Sequence, residues 1–213
     1  ETLTKVFLQY PSYSLVVTGH SLGAGVACLV TILAYQEAFV HNMRCLAYAP
    51  PPVFCPLDAA RKAVAHTTAY VHNMDVVPSL SVSALRRLLL TISTLDKRVK
   101  EEKPETQWKE FFKVMSNEES SHSALVEAIQ TSKKEKLSTM EGAPLLVIPC
   151  EQFLWFQNTT KNAEEGDTFA VRKLDPKKYA ERVLDISDNM VTDHLPPMYE
   201  NAFKYAVQHK LES

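Results

Sequence analysis

Hydrophobic positions in the first eighty residues form short β-branched runs separated by longer stretches with helical spacing. Val6, Phe7 and Tyr10 share one side of an amphipathic helix over residues 1–10. Ser14–Thr18 reads as a strand. From Leu22 to about Phe39 the spacing predicts a helix whose first half is almost wholly apolar and hence buried. Arg44–Ala49 is the next strand, stopped by Pro50, Pro51 and Pro52. A short helix is expected over Asp58–Ala65 and a third strand over Thr67–His72. Strands alternating with helices predict an α/β fold with a parallel sheet and crossover connections.

The pattern changes after Ser83. Leu85, Leu88, Leu89, Ile92 and Leu95 recur at helical spacing. From Asp96 to Lys136, Lys, Glu and Ser dominate, with Trp108, Phe111 and Phe112 as an apolar island. Residues 84–140 therefore read as a helical, charged insertion within a single domain spanning 1–213. An amphipathic element of this kind can cover an apolar groove, rest on a bilayer, or pack on the sheet as scaffold. Pro144–Ile148 and Phe153–Phe156 are strand-like, and Phe169–Arg172 and Val183–Ile186 also suit extended chain. Pro197–His209 reads as a closing helix, with proline suited to its first turn.

Composition narrows the class without naming it. The chain has 213 residues, 46% hydrophobic and 23% charged, with a formal net charge of -2. That is ordinary for a globular domain and offers no basic field for nucleic acid. The longest apolar run, Leu22–Ala34, is too short and too glycine-rich to span a bilayer. No targeting segment is visible, which leaves a cytoplasmic or membrane-associated setting as the expectation. The chain opens at Glu1 and reads as part of something longer. Cys28, Cys45, Cys55 and Cys150 form no C-x-x-C pair and have no zinc-finger spacing, so buried free thiols are expected, with no metal and no cofactor. Asn158-Thr159-Thr160 is a glycosylation sequon, which is too short a signal to assign a compartment.

Candidate chemistry lies in Leu15–Ala27, where a β-branched strand runs into Gly19-His20-Ser21-Leu22-Gly23 and then into a small-residue helix. A G-x-S-x-G sequence between strand and helix is a nucleophile elbow, in which a strained turn lifts the serine hydroxyl above the sheet edge. Gly19 and Gly23 are expected to leave room that a Cβ would fill. The Leu22 N–H, at the helix start, is placed to hold a developing oxyanion. A serine hydroxyl needs a base, and the base needs an orienting acid; here the chain order is nucleophile, acid, histidine. Asp75, after the third strand, fits the acid, while Asp58 is better explained as a helix cap. Seven histidines compete for the base. His20 should point away from Ser21. His41 and His66 suit loops or strand edges, His72 precedes the acid, His122 falls in the insertion, and His209 lies in the last helix. His194, in the loop before the closing helix, stands where the order requires it.

These residues carry a family resemblance. Thr18-Gly19-His20-Ser21-Leu22-Gly23-Ala24 resembles the signature of class 3 lipases, and Asn73-Met74-Asp75-Val76-Val77-Pro78 resembles their acid loop. Tyr48-Ala49-Pro50-Pro51 and Asp193-His194-Leu195-Pro196 look closest to the diacylglycerol lipase branch. The resemblance covers about residues 1–83 and 144–210. It implies an α/β-hydrolase fold and hydrolysis of an ester in a neutral glycerolipid, such as the sn-1 ester of diacylglycerol, at a membrane or lipid interface. Members of the family carry a long region before the elbow, whereas 20 residues precede Ser21 here. The chain is therefore expected to form the C-terminal part of the sheet, lacking N-terminal strands. A non-catalytic module derived from a lipase, and an esterase or acyltransferase for other acyl groups, are the alternatives. The residues by themselves reach as far as a serine hydrolase acting on an ester or amide.

Overall fold

The computed structural model describes residues 2–36, 43–55, 61–85, 88, 145–160, 166–181 and 187–210. Five strands form one sheet in the order β1 (Leu15–His20), β2 (Met43–Tyr48), β3 (Thr67–His72), β4 (Gln152–Asn158), β5 (Phe169–Lys173). The first four are parallel, and β5 returns antiparallel on β4. The alternation of strand and helix in the sequence thus becomes the mostly parallel sheet that it implies. β3 and β4 are neighbours, so the whole of residues 73–151 is inserted between two adjacent strands. Most of the expected insertion, and the Val183–Ile186 extended segment, lie outside the described residues.

α1 (Thr2–Gln9) leads into β1, and α2 (Leu22–Gln36) follows it directly. The buried face of α2 is built from small side chains, Ala24, Ala27 and Cys28, packed on Cys45 and Ala47 of β2. Small residues let the helix lie close on the sheet. The expectation that the first half of this helix is buried all round is corrected. Leu22, Val26, Val30 and Leu33 are exposed, with Leu22 73% accessible. The reason is positional: among the described residues β1 pairs with β2 alone, so α2 sits at the sheet border with nothing over its outer face.

α3 is short, Arg61–Val64, and Asp58 falls outside the described residues. Of the strand expected over Pro144–Ile148, Pro144 lies outside the described residues and residues 145–148 form no strand. Val147 makes an isolated bridge to Phe54, and Pro149 follows within two residues. Cys28, Cys45 and Cys150 are buried free thiols, but Cys55 is exposed, because it sits in the loop beyond the Phe54 bridge and not in an element.

A five-residue helix, α4 (Pro176–Ala180), is capped by Asp175, whose carboxylate accepts from the Lys177 and Lys178 amides. The closing helix α5 (Pro196–Gln208) starts with two prolines where no intrahelical donor is required. Its inner face meets the sheet through aromatic rings. Phe203 lies 4.9 Å from Tyr70 and 4.8 Å from Phe156, and Tyr205 meets Phe169 edge-on at 5.7 Å. This spacing of Tyr199, Ala202, Phe203 and Ala206 is one helical stripe, and it fixes the loop that enters α5 against the C-terminal ends of β3 and β4.

Candidate active site

The elbow is the most constrained point of the chain. β1 gives way to α2 with Ser21 alone between them. Ser21 has φ of 58°, a left-handed conformation that a residue with a Cβ adopts only when its surroundings impose it. Its N–H donates to the Tyr48 carbonyl at 2.9 Å, extending the β1–β2 ladder by one residue. Its carbonyl accepts from the Ala24 and Gly25 amides at 2.9 and 3.2 Å, beginning the helix. A Cβ on Gly19 would lie 2.3 Å from the Gly23 carbonyl oxygen, so the turn admits only glycine there. At Gly23 a Cβ would meet nothing within 4 Å, contrary to the expectation from sequence; Gly23 supplies the backbone that Gly19 must clear. Leu22 is the first residue of α2, where an amide has no intrahelical acceptor.

His194 closes a short 3₁₀ turn, Thr192–His194, at the entry to α5. The Ser21 hydroxyl donates to His194 Nε2 at 2.9 Å. The Nδ1–H of His194 lies 3.1 Å from each carboxylate oxygen of Asp75. Ser21, His194 and Asp75, far apart in sequence, thus form one hydrogen-bonded chain at the C-terminal ends of the parallel strands. Asp75 is 2% exposed, and a buried carboxylate needs donors in place of water. It has them: the Val77 amide donates at 2.9 Å and the Tyr199 hydroxyl at 2.6 Å. The arrangement can pass a proton from the serine oxygen to an imidazole whose tautomer and orientation are fixed by a carboxylate. Among the described residues, no group of His, Cys, Asp and Glu is placed to hold a metal ion.

Sequence reasoning missed three participants. Tyr199 lies five residues beyond His194 on α5; its hydroxyl binds Asp75 and also accepts the His72 amide at 3.1 Å. Nothing in the local pattern marks it, because its partner is set by how α5 docks. His20 was expected merely to point away. Its Nε2–H donates to the His194 carbonyl at 2.9 Å, and its ring lies 4.7 Å from the His194 ring, so the elbow props the loop that carries the base. Asp193 is buried and accepts from Asn73 and Met74 of the acid loop. Of the other histidines, His66 packs against Tyr35, His209 stacks on Tyr205 just past α5, and His41 and His122 lie outside the described residues.

His72 is 2% exposed; its Nδ1–H donates to the Asp193 carbonyl at 3.2 Å, and its Nε2 has no partner among the described residues. Burial holds its proton affinity below the ordinary histidine value, opposed by the nearby Asp193 and Asp75 carboxylates. The unfolded chain therefore binds this proton more readily than the folded one. The contribution to stability is full above about pH 6.5 and is lost as pH falls through the ordinary histidine range. Denaturant midpoints at pH 8 and pH 5.5 should show this loss in the wild type and a smaller one in His72→Gln. Equal losses in both proteins would place the effect on other groups.

The family description "Lipase (class 3)" matches residues 1–84. Human diacylglycerol lipase-alpha is 37% identical over 83 residues, covering 38% of this chain and 8% of that protein. Mouse diacylglycerol lipase-beta is 33% identical over 102 residues, covering 45% and 14% respectively. The chain thus spans a small fraction of the length of the curated relatives it matches. Among solved structures, the Rhizomucor miehei triacylglyceride lipase is 30% identical over 39% of this chain and 33% of that one, with a TM-score of 0.36. Residues 1–84, which hold the elbow and the acid loop, are thus similar to the class 3 lipase family.

Proposed function

We propose that this chain carries the catalytic centre of a serine lipase that hydrolyses an ester of a neutral glycerolipid, the sn-1 ester of diacylglycerol, through an acyl-enzyme. The observation that carries the reading is the continuous hydrogen-bonded path from Ser21 through His194 to Asp75, built on a strained elbow. In this reading His194 takes the proton from the Ser21 hydroxyl as its oxygen attacks the ester carbonyl. The tetrahedral oxyanion is held by the Leu22 N–H. His194 then gives its proton to the leaving glycerol oxygen, and the reverse sequence with water releases the fatty acid. Asp75 holds the Nδ1–H and offsets the charge that forms on the imidazole.

The choice of a glycerolipid rests on the names of the relatives and on the surface next to the reacting groups. Leu22 adjoins Ser21, Val191 and Leu195 flank His194, and Leu80 and Val82 follow the acid loop; all five are exposed. Exposed apolar side chains near the reacting residues in sequence suit acyl chains or a lipid interface. Residues 84–140, inserted between β3 and β4, are the segment we assign to controlling lipid access within a single domain.

A fluorophosphonate should label Ser21 in the full-length protein, and diacylglycerol carrying different acyl groups at sn-1 and sn-2 should release the sn-1 acid. An unlabelled, folded protein sinks the catalytic reading; release of the sn-2 acid alone corrects the regiochemistry. Asp75→Asn should fold but lose about 10⁴ in kcat, because an amide presents no second anionic acceptor and favours the wrong imidazole tautomer. Near-normal turnover in that variant would remove Asp75 from the acid role.

A further inference from the structure

The geometry points to Asp193 as a positioning residue that locks the histidine loop to the acid loop, and so sets how Asp75 meets His194. The inference rests on the catalytic reading above. Asp193 is 6% exposed, and its Oδ2 accepts from Asn73 Nδ2 at 2.9 Å and from the Met74 amide at 3.1 Å. Its backbone carbonyl accepts the His72 Nδ1–H at 3.2 Å. The donors are therefore three consecutive residues that end directly before Asp75, and the acceptor is the residue directly before His194. One more strand of the seam, the Val76 amide on the Met190 carbonyl at 3.3 Å, continues it on the far side of Asp75.

What Asp193 grips is itself fixed. Asn73 has φ of 39°, where asparagine is better tolerated than most residues. Its amide donates to the Phe156 carbonyl at 2.7 Å, and its carbonyl accepts the Trp155 indole N–H at 2.7 Å. Its side-chain oxygen accepts the Asn158 amide at 3.4 Å. Asn73 is thus anchored to β4, and through Asp193 the loop holding His194 is anchored to the same strand. His194 has no named bond to β4 itself: its ring is partly exposed and is held by the Asp75 carboxylate and the Ser21 hydroxyl, and its carbonyl by His20. Burying the Asp193 carboxylate is unfavourable unless donors replace its water, and every donor named here belongs to the acid loop or the residue before it. Its burial therefore favours one register of the two loops.

The pair can be exchanged as a test. In Asn73→Asp alone, two carboxylates face each other across the 2.9 Å contact; in Asp193→Asn alone, two amides do. In the double exchange an amide at 193 again donates to a carboxylate at 73, the Asn158 amide keeps its acceptor and the backbone bonds are untouched; the Met74 amide alone loses its acceptor, because the nitrogen takes the place of the oxygen it shared with Asn73. The four proteins are compared in the full chain, by kcat and KM on a soluble ester and by the downfield Nδ1–H proton resonance of His194. Each single exchange should lower kcat by about 10²-fold with little change in KM, and broaden or remove the resonance, since displacement on the order of an ångström costs that much. The double exchange should recover part of the kcat and the resonance, since it restores the 73–193 bond but not the Met74 bond. A single variant that fails to fold, beside a double that folds and regains the resonance, also supports the lock. Single exchanges that only lower the melting temperature, with kcat and resonance kept, overturn it, as does a double no better than the worse single. A wild type that Ser21-directed fluorophosphonate leaves unlabelled overturns the catalytic reading, and the resonance still decides the lock.

Discussion

Ser21→Ala is expected to lose about 10⁶ in kcat and all fluorophosphonate labelling while keeping the fold. The size follows from what remains. Without the hydroxyl no acyl-enzyme forms, and His194 and Asp75 have no oxygen to activate. What is left is binding and the Leu22 amide, worth roughly 10³–10⁴ over water in a comparable hydrolase. Stability should move little. Alanine keeps a Cβ, so the left-handed strain at φ 58° is unchanged, and the elbow bonds to Tyr48, Ala24 and Gly25 use backbone atoms alone. The His194 Nε2 loses its donor, but the imidazole side chain is 20% accessible and water can replace it. Circular dichroism, a melting curve and gel-based labelling of both proteins make the measurement. A folded Ser21→Ala protein that still takes the label would move the nucleophile elsewhere.

The residues just named differ in how far the sequence foretold them. The elbow was legible because its cause is local: a β-branched strand, a turn that excludes a Cβ at Gly19, and a helix start. Asp75 and His194 were reached by chain order, a rule about topology, and both stand at the ends of elements whose periodicity is plain. Tyr199, Asp193 and Asn73 were not legible. Each owes its role to a partner more than a hundred residues away, set by where α5 lands on the sheet. The misread burial of α2 has the same origin. Its composition is apolar on every side, but burial depends on what covers Val26, Val30 and Leu33, and periodicity carries no information about that. The described part of the strand expected over Pro144–Ile148, residues 145–148, makes only an isolated bridge for a reason that was visible: Pro149 stands at its end and a second strand partner was never specified.

His194→Ala should cost as much as loss of the serine, about 10⁶ in kcat, because a nucleophile and its base act as a unit. The serine hydroxyl would remain, at 2.9 Å from an empty site and with nothing to take its proton. The fold should survive at a cost of about 1–3 kcal/mol, the usual penalty when a buried charged acceptor loses one donor. Asp75 keeps the Val77 amide and the Tyr199 hydroxyl, and His20 still donates to the backbone carbonyl at 194. The side chain removed leaves a space open to solvent, so added imidazole should restore part of the hydrolysis of an activated ester, and should do nothing for Ser21→Ala. His72→Ala makes the contrast. Its ring donates to the Asp193 carbonyl and does not touch Ser21 or Asp75, so that variant should lose stability and positioning but still take the fluorophosphonate. Normal turnover in His194→Ala, with labelling abolished in a folded His72→Ala, would show that the base had been assigned to the wrong histidine.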